Sequence, residues 1–173
     1  ARKYLKPRTG KVQRVFVFFG GTDQENVTEK ALEALSVPEF SHLDVDVVIG
    51  SHNTHRKKIE QLVKTRPLTK LYVQVENIAE LMVQADLAIC AGGVTTWERL
   101  CLGLPSLVIT IAENQIPFTE DLNQDGYLVY LGDSKTVDFN GLRQAINDTL
   151  AQESNNILQS RKVFPSILPP FPI

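Results

Sequence analysis

Two glycine pairs are the residues of this sequence best suited to chemistry. Gly20-Gly21 ends the apolar run "VFVFF", and Gly92-Gly93 ends the run "LAICA"; a helix pattern follows each. Glycine lets a backbone come close to a ligand, and exposed N–H groups at a helix start favour an anion, so the chemistry implied is phosphate binding. Neither segment matches a Walker motif or the G-x-G-x-x-G fingerprint, and each alone also reads as a plain strand-to-helix turn. Thr22 follows the first pair, and Thr95 and Thr96 follow the second. Glu98 has two readings. In Thr95-Thr96-Trp97-Glu98 it completes a capping box with Thr95 as the cap. One turn into a helix, it is also a carboxylate able to accept from vicinal ribose hydroxyls.

These residues need elements to position them. Apolar β-type runs at Val15–Phe19, Leu43–Gly50, Lys70–Val75, Leu87–Ala91, Ser106–Ile111 and Tyr127–Leu131 alternate with helical patterns. Those patterns begin near Glu25, Arg56, Ile78, Thr96, Pro117 and Asn140. Continuous apolar strands alternating with helices predict an α/β fold: a doubly wound, Rossmann-like parallel sheet of about six strands with helices on both faces. In such sheets ligands bind outside the carboxyl ends of the strands. The residues expected there are Gly20-Gly21-Thr22, Ser51 and His52, Ile78, Gly92-Gly93 with Thr95 and Thr96, and Asn114-Gln115. A switch of direction between the first and fourth strands would bring the two glycine pairs side by side.

Other chemistries find less support. His52 and His55 form an H-x-x-H pair without further convincing ligands, so no metal and no cofactor is expected, and His52 reads as a rim residue contacting ligand. Neither a nucleophile elbow nor paired catalytic carboxylates stand out. Cys90 and Cys101 lack metal or redox spacing and read as small core residues; Trp97, Leu100 and Cys101 recur at helical spacing, as core positions do. The formal net charge of -2 offers no broad attraction for nucleic acid or anionic membrane. The basic stretch Arg2–Arg14 reads as a solvated linker. No apolar run approaches the ~20 residues of a membrane span, and no secretory signal is present, so a cytoplasmic location is expected.

The segment "ENIAELMVQADLAICAGGVTTWERLCLGLPSLVITIAENQ" and the opening "RVFVFFGGTD" resemble the C-terminal domain of the UDP-sugar hydrolases of pseudaminic acid biosynthesis. Those enzymes hydrolyse UDP-2,4-diacetamido-2,4,6-trideoxy-β-L-altropyranose. They are related to the spore-coat polysaccharide protein SpsG and, more distantly, to the glycosyltransferase MurG. The similarity covers residues 12–152. It implies the second domain of a GT-B fold with a UDP-sugar as ligand. Gly20, Gly21 and Thr22 would face the diphosphate, and Ile78 would meet uracil through its backbone. Gly93, Thr95 and Thr96 would bind phosphates, Glu98 the ribose hydroxyls, and Asn114 and Gln115 the sugar. In the family a preceding N-terminal domain carries a histidine-bearing loop thought to position or activate the attacking water. No such domain precedes Val12, so no catalytic base is nominated, and the chain is expected to be a nucleotide-binding half. The expected division is a linker at 1–11, the Rossmann-like domain at 12–152 and a Pro-rich tail at 153–173. The tail, ending "VFPSILPPFPI", suits neither a helix nor a central strand.

Overall fold

A computed structural model describes residues 8–167. Its strands are β1 (Arg14–Phe18), β2 (Asp44–Ile49), β3 (Thr69–Val73), β4 (Leu87–Ala91), β5 (Ser106–Thr110) and β6 (Val129–Asp133). The intervening helices are α1 (Val27–Leu35), α2 (Arg56–Thr65), α3 (Ile78–Gln84), α4 (Thr95–Cys101), α5 (Ile116–Gln124) and α6 (Phe139–Ala151). All strand pairs are parallel, in the order β3-β2-β1-β4-β5-β6. The expected doubly wound sheet is therefore present, with its change of direction between β1 and β4.

The strand sequences follow from this order. β4 and β5 lie inside the sheet with helices on both faces, and every residue of LAICA and SLVIT is buried. β3 and β6 are the edges and are only partly covered. Side chains alternate across the sheet. Val15, Val17, Val47 and Ile89 join one core with Ala31 and Leu35 of α1 and Leu142 and Ile146 of α6. Phe16, Val48, Ala88 and Cys90 join a second core under Leu81 and Met82 of α3. A third, smaller core gathers Val108, Leu122 and Leu128 beside α5.

Two expectations about elements change. The last strand starts at Val129 rather than Tyr127. Tyr127 N–H closes the end of α5 on Leu122 O at 2.9 Å, and the β5–β6 register shifts between Val108 and Ile109, where Gly132 takes φ 119°. The larger correction is the tail: Glu153–Ile167 forms a helix, α7. Its first prolyl residue is Pro165, so the stretch from Glu153 to Phe164 contains no proline to interrupt it. Asn156 Nδ2 ties α7 to the body by donating to Gly10 O and Thr149 O, both at 2.9 Å. Of the expected linker, residues 1–7 lie outside the described residues; Arg8 is docked, donating to Ala85 O and to Met82 O. The end of the Pro-rich tail, residues 168–173, also lies outside them. No helix among the described residues is long and apolar enough to cross a membrane.

Candidate functional site

The register of β1 with β4 pairs Phe18 with Cys90, so the chain leaves the sheet toward Gly20 and Gly92 at the same level. The two glycine loops are neighbours at the carboxyl edge, as the switch of direction requires. Gly20 adopts φ 86°, a conformation that favours glycine. A side chain at Gly20 or Gly21 would meet nothing within 4 Å. The space over this loop is open, and Gly21 and Thr22 are exposed to it. The loop is held from inside by Asp23, which is 1% exposed. Its two carboxylate oxygens accept from Val27 N–H and Thr28 N–H, both at 2.9 Å, closing the start of α1. Asp23 is absent from the candidate residues named above; an Asp four residues before α1 is the signal in the sequence that points to it.

The second rim loop locks onto the first. A Cβ on Gly50 would lie 2.3 Å from Gly21 O, so the two backbones touch. Beyond it, Ser51 and His52 are exposed, with Ser51 Oγ 3.0 Å from His52 Nδ1. His55 instead turns to Gln24 O at 3.1 Å, so the H-x-x-H pair diverges. Among the described residues no group of three or more His, Cys, Asp or Glu side chains is placed to hold a metal. Ile78, the first residue of α3, is half-buried and packs on the core that Phe18 also contacts.

The loop after β4 is braced by the one after β5. Gly92 is buried, and a Cβ there would stand 2.5 Å from Thr119 Oγ1. Gln115 belongs to a short 3-10 turn, Glu113–Gln115, and its Oε1 accepts from Ile111 N–H at 3.1 Å. That bond orients the carboxamide, so Nε2 faces Gly93, 3.6 Å from where its Cβ would be. Gln115 thus presents an N–H donor beside the glycine pair, with exposed Asn114 next to it.

The start of α4 departs from expectation. The capping box is not formed: Thr95 is already helical, Val94 occupies the cap position, and no side chain caps it. Glu98 is exposed. Thr95 is half-buried at the rim, whereas Thr96 is only 1% exposed and turns inward, accepting from Arg99 Nη2 at 2.8 Å. Nor are Trp97 and Cys101 core residues. Trp97 is 59% exposed and packs against Phe118, ring centroids 5.0 Å apart, while Cys101 is exposed. The buried face of α4 consists of Thr96 and Arg99, a polar pair that hydrophobic periodicity does not reveal. Cys90 is buried as expected; burial pushes its thiol pKa up, partly countered by the nearby Arg99 guanidinium.

A six-stranded parallel sheet with small and polar loops along its carboxyl edge is the architecture of a GT-B C-terminal domain. Residues 14–166 match the Glycosyltransferase family 28 C-terminal domain, and the chain belongs to that family. It is 31% identical over 121 residues to the spore coat polysaccharide biosynthesis protein SpsG of Bacillus subtilis (strain 168), covering 69% of this chain and 36% of SpsG. It is 26% identical over 114 residues to the UDP-2,4-diacetamido-2,4,6-trideoxy-β-L-altropyranose hydrolase of Campylobacter jejuni, covering 66% of this chain and 40% of that enzyme. The chain therefore spans well under half the length of these two relatives. In fold it is similar to MurG of Acinetobacter baumannii (TM-score 0.71, 18% identity, 91% of this chain and 48% of MurG). It is also similar to the spinosyn rhamnosyltransferase SpnG complexed with thymidine diphosphate (TM-score 0.70, 21% identity, 90% of this chain and 41% of SpnG).

Proposed function

We propose that this chain binds a UDP-sugar across its carboxyl edge, as the nucleotide-binding half of an enzyme that breaks the bond between the sugar and its diphosphate. The observation that carries this reading is the pair of adjacent glycine loops, open above Gly20-Gly21 and flanked by the Gln115 carboxamide at Gly93. Backbone N–H groups of Gly21 and Gly93 and the Thr95 hydroxyl are the donors for the diphosphate. Exposed Glu98 accepts from the ribose hydroxyls, and the backbone at Ile78 meets uracil. Asn114 and Gln115 lie toward the sugar, with Ser51 and His52 at the far end of the rim. Thr96, whose hydroxyl is engaged below, supports the loop.

We take the reaction to be hydrolysis, a reading supported by the likeness to the Campylobacter jejuni hydrolase. Water would add to the anomeric carbon, the glycosyl C–O bond would break, and the electron pair would leave on UDP. Preorganised N–H donors at the glycine loops would stabilise that developing charge. The general base would come from a preceding domain, which would also close over the sugar. Transfer to an alcohol, favoured by the family and by the MurG-like fold, breaks the same bond and uses the same residues here. Product analysis with the diacetamido sugar nucleotide distinguishes them: free sugar in the absence of an alcohol acceptor supports hydrolysis.

Calorimetry with UDP tests the site. Glu98→Ala should weaken binding by about 1–3 kcal/mol through loss of the ribose contact. Unaltered affinity would remove Glu98 from the site. Trp97 is the only tryptophan and stands two residues from Thr95. Its solvated indole emission should therefore change saturably on titration with UDP. Binding detected by heat but silent in Trp97 fluorescence would put the nucleotide elsewhere.

A further inference from the structure

Arg99 is the largest fully buried side chain among the described residues, 1% exposed, on the inward face of α4. Burying a guanidinium is costly unless it is paired, yet no ion pair among the described residues involves it. Nη2 donates to Thr96 Oγ1 at 2.8 Å, but Nε and Nη1 have no hydrogen-bond partner among the described residues. The group lies beside Cys90, the residue that pairs with Phe18 where the chain turns toward both glycine loops. A delocalised positive charge is thus sealed beneath the edge at which the diphosphate would bind.

The bond to Thr96 has a direction. Arginine only donates, so the Thr96 hydroxyl accepts from it and its own proton must point elsewhere. Thr96 N–H donates to Gly93 O at 3.0 Å, so the residue gripped by Arg99 also fixes the glycine loop. A dianion above that loop would supply the counter-charge that no ion pair among the described residues provides.

We propose that Arg99 is a positioning residue for the diphosphate: it braces the Gly92–Thr96 loop from below and offsets phosphate charge without touching the ligand. The inference rests on the UDP-binding reading above. The test compares UDP with uridine, which shares the base and ribose but carries no phosphate, on this chain and on Arg99→Met and Thr96→Val. Arg99→Met should weaken UDP binding by about tenfold or more, since a buried charge acts on nearby phosphate charge through an interior of low dielectric. Uridine affinity should change less than about twofold, because the nucleoside carries no phosphate for the guanidinium to offset. Thr96→Val, which removes the acceptor at nearly constant shape, should show the same phosphate-selective loss in smaller degree; it decides the matter if Arg99→Met does not fold. Equal weakening of UDP and uridine, or unchanged UDP affinity, overturns the proposal. Failure of the unaltered chain to bind UDP overturns the nucleotide reading itself.

Discussion

Replacing Arg66 with methionine is expected to lower folding stability by about 3–5 kcal/mol, the largest effect of any single change considered for this chain. Arg66 follows α2 at the amino edge of the sheet and is 4% exposed. Nε donates to Leu35 O at 3.0 Å, and Nη2 donates to Phe40 O at 2.8 Å. Nη1 reaches Leu43 O at 3.0 Å, Pro67 O at 2.9 Å and Thr69 Oγ1 at 2.8 Å. Leu35 ends α1, Phe40 ends a short 3-10 turn, and Leu43 leads into β2. The carbonyls of Leu35 and Leu43 have left regular structure without reaching the next ladder, and one planar fork satisfies both while adding a second donor to Phe40 O, which also accepts from Leu43 N–H at 3.1 Å. Burial lowers the Arg66 pKa, the signature of a charge taken out of water. Methionine fills similar space but leaves Leu35 O and Leu43 O without a donor, while Phe40 O keeps only Leu43 N–H at 3.1 Å. Lysine, with a single ammonium, recovers only part of the loss. Urea denaturation should show a lower midpoint at unchanged slope. A shift worth less than about 1 kcal/mol would mean that water replaces the guanidinium at these carbonyls.

Gly50→Ala should cost about 2–3 kcal/mol of stability and also weaken UDP binding. The added methyl would stand 2.3 Å from Gly21 O and 2.7 Å from Gly21 Cα. These are backbone atoms, so no rotamer change relieves the contact; one loop must move. The loop that moves is the one carrying Gly20-Gly21, open on its outer side. The coupling distinguishes this change from Arg66→Met, which acts at the opposite edge and should leave UDP affinity of the folded protein unaltered. Denaturation and calorimetry on both variants check the pair of outcomes. Undiminished UDP affinity in Gly50→Ala would detach the first glycine loop from the site.

The fold was legible because period and punctuation agree. A run such as LAICA has no polar face, which only a strand covered on both sides tolerates, and glycine or proline closes the elements between such runs. Where local signals conflict, tertiary contacts decide. Thr95-Thr96-Trp97-Glu98 has capping-box spacing, yet the helix starts at Thr95, because Thr96 is drawn inward by Arg99. Trp97 and Cys101 share a helical stripe, but the stripe that faces the sheet is the neighbouring one, through Thr96 and Arg99. The prolines after Phe164 concealed the helix-compatible residues before them.

Composition, period and turn residues by themselves determined a doubly wound parallel sheet and placed the glycine pairs and Gln115 at its carboxyl ends, with Glu98 one turn into the helix after the second pair. These are local properties, set by each residue's own conformational and burial preferences. Only the tertiary structure decided that Gly50 rests on Gly21, that Gln115 turns its amide to Gly93, and that Arg99 lies sealed below Thr96. Each of these contacts joins segments or faces whose relation depends on strand order and helix rotation, and neither quantity is written in any one stretch of sequence.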